Sequence, residues 1–149
     1  MSKPRISRAP RLNFFDLVIN RHESYLAEEI KRVLNKSGIF ITQQVGSENC
    51  LDINRALNTK EDMGLGDWYL KNAVQNLKDI GFEIIDSYQE YPDLRFYDIG
   101  ALIYYLKAVP WQVSGFSIEK YKEELKAIHH SILKNNYFEV KEHRFFLIA

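Results

Sequence analysis

The stretch FFDLVINRHESY, residues 14–25, decides the fold class of this 149-residue chain. Its first half is apolar apart from Asp16, which is typical of a strand covered on both faces in a parallel sheet. Its second half is abruptly polar, and open α/β sheets bind ligands just beyond the carboxyl ends of their strands. The stretch therefore predicts a buried strand of an α/β fold that ends at the mouth of a binding site.

The residues after this stretch predict a helix and a second strand. Ser24 can cap the helix, Gly38 can supply the left-handed residue that ends it, and residues 39–45 form the strand. Apolar residues recur at the spacing of one buried helix face: Leu26, Ile30, Val33 and Leu34. Two strands joined by a helix make a β-α-β unit, which predicts parallel strands and a right-handed crossover.

The rest of the chain predicts further elements around a polar insertion at residues 46–66. Helices are expected near 51–57, from an Asp67 cap to Gly81, within 91–111, and from a Ser117 cap to Asn135–Asn136. Strands are expected at 82–88, 137–140 and 144–148, the last as a core strand. The helix within residues 91–111 is apolar almost all round, which indicates deep burial or cover by a partner.

The composition excludes several functional classes. The formal net charge is zero, so no long-range field attracts nucleic acid or an anionic membrane. The single cysteine, Cys50, excludes an intramolecular disulfide and a cysteine-rich zinc site, and it fits a reducing cytoplasm. No apolar run approaches the ~20 residues of a membrane span, and no signal peptide is recognisable. We therefore expect a cytoplasmic protein.

The order of these elements resembles the C-terminal half of a class I S-adenosylmethionine-dependent methyltransferase. FDLVINRHESY, LNKSGIFITQQV and AVQNLKDIGFEIID look like the fourth strand, fifth strand and sixth strand of that family with their adjoining turns and helices. RFYDIGALIYYLKAVPW and the ending HRFFLIA look like a bacterial subgroup of small-molecule or RNA methyltransferases. Family members commonly carry a Lys-Pro-Gly-Gly turn before the fifth strand, and this chain has Asn35-Lys36-Ser37-Gly38 there.

This resemblance covers roughly Phe14 to Ala149 and implies a fold. We expect an α/β fold with a truncated Rossmann-like methyltransferase sheet of about the last four strands, mixed parallel and antiparallel, with flanking helices and a helical insertion. Residues 14–149 form this partial domain. Residues 1–13 are a basic tail containing two prolines, which is either a loose tail or an arm that docks on a partner.

The resemblance also implies what this chain lacks. The family binds its cofactor through a glycine-rich turn after the first strand and an acid at the end of the second. No Gly-x-Gly-x-Gly occurs in the sequence, and Gly64-Leu65-Gly66 follows a polar loop rather than a strand. We therefore expect S-adenosylmethionine to be the cofactor of the family, but not to be bound by this chain alone.

Two functions follow as alternatives. The chain is a truncated S-adenosylmethionine-dependent methyltransferase-like protein, a transferase relative that is inactive alone because the cofactor loop is missing. Alternatively, it is a non-catalytic binding or dimerisation module, or one half of a split methyltransferase completed by a partner chain.

The turn after the first predicted strand is the first candidate for a functional site. Asn20, Arg21, His22 and Glu23 would form the remaining wall of an active site, because this turn in the resembled family borders the methyl group and its acceptor. A histidine beside a glutamate could act as a general base. The alternative is that His22 and Glu23 merely open the next helix.

Tyr97, Asp98 and Trp111 are candidates on the substrate side. In the resembled subgroup the helical insertion covers the acceptor site, and aromatic walls suit a planar or cationic acceptor. The alternative is that these residues only pack in the core.

The other histidines carry no functional pattern. His129 and His130 would point about 100 degrees apart on a helix, so they cannot form a metal pair. We expect one to be packed and one solvated, and His143 is equally unremarkable. No spacing of His, Cys, Asp or Glu predicts a metal site or a catalytic triad.

The predicted strand over residues 14–20 should be an edge, because the strand that neighbours it in the family is missing. An apolar edge is a template for pairing with another chain, so something should cover it. The N-terminal tail, a second copy or a separate chain could do so. We predict a homodimer, formed through this edge or through the aromatic helix.

Overall fold

A computed structural model describes residues 12–62 and 64–149, so residues 1–11 of the predicted tail lie outside the described part. The strands of the described part are β1 (Phe15–Arg21), β2 (Leu34–Val45), β3 (Asp86–Glu90), β4 (Asp93–Phe96), β5 (Phe138–Lys141) and β6 (Arg144–Ile148). The helices are α1 (Ala27–Val33), α2 (Leu51–Ala56), α3 (Leu70–Asp79), α4 (Ile99–Ala108) and α5 (Lys122–Asn135).

Four of these strands form a mixed sheet in the order β1-β2-β6-β3. β1 and β2 are parallel, whereas β6 runs antiparallel to both β2 and β3. One row across the sheet joins Ile19 to Ile41, Ile148 and Asp86. The mixed sheet of four strands is therefore confirmed, and so is the interior position of the C-terminal strand.

Helices α1 and α3 cover one face of this sheet. Ala27 of α1 and Leu77 of α3 join a buried cluster with Phe40, Phe145 and Leu147, which point from β2 and β6 to the same side. Alternate residues of the strands point to the other face. These are Leu17, Ile19, Ile39, Ile41, Phe146 and Ile148, and they belong to neither buried cluster of the described residues. We call this second side the open face.

The first prediction for residues 14–19, a strand covered on both faces, is wrong. β1 lies at an edge of the sheet, as the resemblance implied, and pairs only with β2 among the described strands. Its Leu17 and Ile19 side chains are 47% and 67% exposed. An apolar run predicts a strand, but hydrophobicity alone does not show whether other elements cover both of its faces.

Helix α1 differs from its prediction at both ends. It begins after Leu26, which is 72% exposed rather than buried, and Ser24 does not cap it. It ends at Val33, and Gly38 lies inside β2 instead of stopping the helix. The extra residues of β2 form an irregularity opposite β1, where a Cβ on Gly38 would lie 3.0 Å from the Phe15 carbonyl oxygen. Gly38 therefore favours the close approach of β2 to β1 and does not form a left-handed turn.

Other predicted boundaries are partly right. Gly81 and Asn136 adopt the expected left-handed conformation after α3 and α5, with φ of 82° and 69°. Asp67 does not cap α3, whose cap position is occupied by Tyr69. The Ser117 hydroxyl accepts a hydrogen bond from the Lys120 amide (3.2 Å), so it caps the turn before α5 rather than the helix itself. The predicted strand at 82–88 begins only at Asp86, and β4 was not predicted.

An antiparallel ribbon, interrupted at residues 91–92 and 142–143, joins the main sheet to a second, smaller sheet. β3 and β4 run along one side of this ribbon, and β5 and β6 run along the other. The register continues across the interruption, because Glu90 pairs with Arg144 and Asp93 pairs with Lys141. Pro92 lies at the interruption, where it cannot donate a backbone hydrogen bond to a ladder.

A second core packs against β4 and β5. α2, α4 and α5 pack with β4 and β5 around a cluster that includes Ile53, Leu102, Leu106, Ile128 and Val140. We call this unit the cap. α4 is only partly covered, because Leu102 and Leu106 are buried whereas Tyr104 is 76% exposed. No helix among the described residues is long and apolar enough to cross a bilayer.

His143 lies at the interruption of the ribbon and packs against the end of β2. Its side chain is fully buried and stacks on the Tyr91 ring, with ring centroids 4.8 Å apart. The His143 carbonyl accepts a hydrogen bond from the Gly46 amide (2.9 Å). A Cβ on Gly46 would overlap the imidazole ring, so only glycine leaves room for His143 at this place.

We expect Gly46→Ala to lower the free energy of unfolding by about 1–3 kcal/mol, because the added methyl group overpacks the imidazole. The control is a double-mutant cycle with His143→Ala, measured by urea unfolding. In the His143→Ala background the Gly46→Ala change should cost much less, since the ring that it strikes is gone. Equal costs in both backgrounds would contradict the proposed contact.

Candidate functional site

A cavity of about 650 Å³ lies at the carboxyl ends of β1 and β2. The residues after β1 and the end of β2 line its base, and the loop before α3 lines one wall. The end of α4 and the residues after it line the opposite wall. The site therefore lies between the main sheet and the cap, where an open α/β sheet is expected to bind a ligand.

The structure brings together three of the predicted site residues. His22 and Glu23 line the cavity from the turn after β1, and Trp111 lines it from the cap. Tyr97 and Asp98 lie elsewhere among the described residues. The Asp98 carboxylate accepts a hydrogen bond from the Ala101 amide (2.8 Å) and caps α4, and Tyr97 is 66% exposed.

Asn20 and Arg21 do not line the cavity. The Asn20 side-chain oxygen accepts hydrogen bonds from the Thr42 hydroxyl (3.0 Å) and from the Gln44 amide group. Gln44 is buried and lines the cavity, so Asn20 positions a cavity residue from beneath. Arg21 donates to the Gln43 side-chain oxygen (3.1 Å) and lies at the surface.

His22 is held in a left-handed conformation at the end of β1. Its φ is 56°, and its amide donates to the Gln43 carbonyl (2.8 Å), which continues the pairing of β1 with β2. Partial burial lowers the pKa of His22, and the nearby charges of Arg144 and Arg21 lower it further. The imidazole is therefore neutral at neutral pH and able to accept a proton.

Glu23 and Arg144 both line the cavity, but their charges have different surroundings. The Glu23 carboxylate accepts hydrogen bonds from the amide (3.2 Å) and hydroxyl (3.4 Å) of Ser24. No cation of the described residues lies within ion-pair distance of it. The Arg144 guanidinium pairs with Glu142 and also donates to the Asn49 side-chain oxygen. The positive charge at the cavity is thus compensated, whereas the negative charge is not.

Sequence reasoning missed most of the aromatic wall. Tyr25, Trp68 and Tyr105 line the cavity together with Trp111. Tyr25 packs edge-on against Phe40 and Trp68, with ring centroids 5.0 and 5.9 Å away. Its hydroxyl is buried without a hydrogen-bond partner among the described residues, and burial raises its pKa to about 12. The chain has only two tryptophans, and this shared location was not visible from their spacing.

His143, which the sequence analysis judged unremarkable, supports the site from behind the cavity wall. Its Nδ1 accepts a hydrogen bond from the Glu48 amide (3.2 Å), so Nε2 carries the proton, and Nε2 has no partner among the described residues. Its own amide donates to the Asn49 side chain (3.1 Å), and Asn49 lines the cavity. Burial lowers the pKa of His143. This histidine positions the cavity wall without touching the cavity.

Comparison with known proteins identifies the architecture. No known family profile and no curated protein sequence matches the chain. A Bacillus halodurans protein provisionally designated a methyltransferase superimposes with a TM-score of 0.59 at 13% identity, covering 93% of this chain. The fold is that of the Rossmann-like methyltransferases. The YcgJ protein of Bacillus subtilis superimposes with a TM-score of 0.52 at 12% identity, covering 99% of this chain. The chain spans 65% and 66% of those two proteins.

The described residues do not fit S-adenosylmethionine, the cofactor that this fold implies. Such a cofactor needs a glycine turn that follows a strand directly and opens a helix. Gly64 and Gly66 have positive φ values, but their loop follows α2 and is separated from β2 by that helix. What the cavity offers is a base, a carboxylate and aromatic faces. No described group of three or more His, Cys, Asp or Glu residues could hold a metal ion.

The stability of the protein should fall as the pH decreases, because His143 is buried in its neutral form. Its folded pKa lies below the ordinary value of 6.5, so the unfolded chain binds the proton first. Stability is therefore full above that value and declines below it. Urea unfolding between about pH 7.5 and about pH 5.5 measures the decline.

Two variants identify the responsible group. His143→Phe keeps an aromatic ring on Tyr91 but cannot titrate, so its stability should depend less on pH than that of the parent protein. His130→Gln removes an exposed histidine and should leave the dependence unchanged. An equally steep decline in His143→Phe would assign the effect to other groups.

Proposed function

We propose that this chain is a methyltransferase-like protein that forms the acceptor side of an S-adenosylmethionine-dependent methyltransferase site and does not bind the cofactor tightly by itself. The observation that carries this proposal is the cavity at the carboxyl ends of β1 and β2, where His22 and Glu23 face Trp111. A neutral histidine at that position can take a proton from an acceptor group.

The fold supports the same proposal. The chain matches about two thirds of each of two methyltransferase-fold proteins, and its sheet has β1 as an exposed edge. A further parallel strand could add to that edge and extend the sheet. Its carboxyl end would then adjoin the cavity, at the side where His22 lies. Catalysis would require a segment of this kind that carries the glycine turn.

We expect isothermal titration of the 149-residue chain with S-adenosylmethionine to give no binding tighter than about 0.1 mM, because the glycine cradle that supplies the main cofactor contacts is missing. A complete methyltransferase of the same fold, titrated in parallel, serves as the positive control. Micromolar binding by this chain would show that other residues hold the cofactor and would overturn the inactive-alone part of the proposal.

A second candidate function is supported by the exposed edge of the sheet. Leu17 and Ile19 lie on β1 and are largely accessible, and the other apolar residues of the open face continue from them. We propose, as this alternative, a dimerisation module in which a second copy of the chain pairs with β1. Pairing at β1 would block a complementing strand, so the two functions exclude each other at this edge.

In such a dimer the sheets of the two copies would form one continuous sheet, with α1 and α3 of both copies on the same side of it. This condition fixes the geometry of the pairing. A twofold axis perpendicular to the sheet pairs β1 with its copy in antiparallel fashion. With Val18 opposite its own copy, Leu17 of one chain lies opposite Ile19 of the other. Asp16 then lies opposite Asn20, so no like charges face each other. The two most exposed aliphatic side chains of the strand would be covered together.

We expect light scattering after size-exclusion chromatography to give the mass of a dimer at micromolar concentration. Ile19→Lys should yield a monomer, because a charged residue on an edge strand opposes pairing. Tyr104→Lys, which alters the exposed face of α4, is the matched control and should remain dimeric. A monomeric parent protein would overturn this alternative. A monomer produced only by Tyr104→Lys would assign the interface to α4 instead.

We also propose a cytoplasmic location. The support is that the one cysteine of the chain, Cys50, is a free and fully buried thiol. Burial raises its pKa to about 11, so the thiolate that could form a disulfide is scarce.

A further inference from the structure

We propose that the cavity between β1, β2 and the cap binds an organic amine in its cationic form, with Glu23 holding the ammonium group and the aromatic wall holding the carbon skeleton. This inference rests on the proposed function, because it names the chemical class of the acceptor. It concerns binding by the chain alone and requires no cofactor.

The cavity wall carries the negative charge of Glu23. Glu23 is exposed at the cavity wall, and among the described residues its carboxylate accepts hydrogen bonds from the neutral amide and hydroxyl of Ser24. None of the described cations pairs with it. A carboxylate that faces a partly enclosed site without a counter-ion attracts a cation from the ligand.

Among the described residues, the cavity offers no free positive charge. Arg144 is the one arginine or lysine that lines it in the described part of the chain. Its guanidinium is committed to the Glu142 carboxylate and to the Asn49 side-chain oxygen. It also donates to the His143 carbonyl (3.3 Å). These contacts use three of its five N–H donors, and Glu142 compensates its charge, so the site offers an anionic ligand less than a free arginine would.

Aromatic side chains line the cavity. Tyr25, Trp68, Tyr105 and Trp111 contribute four ring systems to one cavity. Aromatic faces attract organic cations, and tryptophan does so most strongly. The same faces also stack on planar carbon skeletons. Trp111 is 58% exposed on the cap side, so its ring is available to a ligand rather than packed in the core.

The volume of the cavity suits a small organic molecule. A volume of about 650 Å³ lies within the range of small-molecule sites, which is about 300–1,000 Å³. The cavity is therefore large enough for a ring with an amine-bearing side chain. His22 lines the same cavity as Glu23. With His22 neutral, the formal charges of Glu23, Arg144 and its ion-pair partner Glu142 sum to −1, and Glu23 is the one of the two acids that lines the cavity.

The test uses three probes that share one ring and differ in the charge of the head group: benzylamine, benzyl alcohol and benzoate. Trp68 and Trp111 are the only tryptophans of the chain and both line the cavity, so intrinsic fluorescence reports directly on binding. We expect benzylamine to bind at least about tenfold more tightly than benzoate, with benzyl alcohol between them.

Two matched variants assign the charge preference to one residue. Glu23→Gln keeps the size and polarity of the side chain and should weaken benzylamine binding by about three- to tenfold, while leaving benzyl alcohol unchanged. Glu119→Gln removes an exposed acid far along the chain, outside the residues that line the cavity, and should have no effect. Circular dichroism checks that each variant is folded.

The outcomes separate this inference from the proposed function. Binding of benzyl alcohol or benzoate as tight as that of benzylamine would overturn the amine assignment and leave an acceptor site in place. A preference for benzylamine that persists in Glu23→Gln would overturn the role of Glu23. No binding of any probe, with unchanged tryptophan fluorescence, would overturn both the amine assignment and the acceptor-site proposal.

Discussion

The imidazole of His143 packs directly against Gly46, and this contact lies where the main sheet, the ribbon and the cavity wall meet. The ring is buried against Gly46, just after β2, and it stacks on Tyr91 at the interruption of the ribbon. Because the backbone of His143 also bonds to Gly46 and to the side chain of Asn49, one residue joins the main sheet, the cap and the cavity wall. A buried imidazole is stable there only while it is neutral and close-packed.

The interruption of the ribbon beside His143 lies between the two units that form the site. The main sheet and the cap each have a core of their own, and residues of both units line the cavity. The polar residues after β1 therefore share the cavity with aromatic residues of both units: Tyr25 and Trp68 pack against the core of the main sheet, and Tyr105 packs against the core of the cap. The charge and aromatic character of the site arise from this meeting of two units.

Local signals in the sequence predicted some features well. Glycine and asparagine ended α3 and α5 at Gly81 and Asn136, because a left-handed residue is a requirement of the backbone itself. The same reasoning failed at Gly38, where the glycine serves close approach between strands. Trp111 joined His22 and Glu23 at the cavity, but Asp98 caps a helix. The roles of Gly38 and Trp111 depend on neighbours distant in sequence, which the spacing of the chain does not show, whereas the Asp98 cap is a local contact with the Ala101 amide.

The sequence by itself determined most of the elements and their order, though not β4, because periodicity and turn residues act over a few neighbouring positions. The polar turn at residues 20–23 and the apolar C-terminal strand followed from that local pattern, and the order of elements carried the resemblance to a methyltransferase fold. Only the tertiary structure decided that His143 is a buried anchor, that Tyr25, Trp68 and Tyr105 share a cavity, and that Glu23 lacks a counter-ion among the described residues. These properties depend on burial and on contacts between residues far apart in the chain, such as Gly46 and His143, which a linear pattern does not contain.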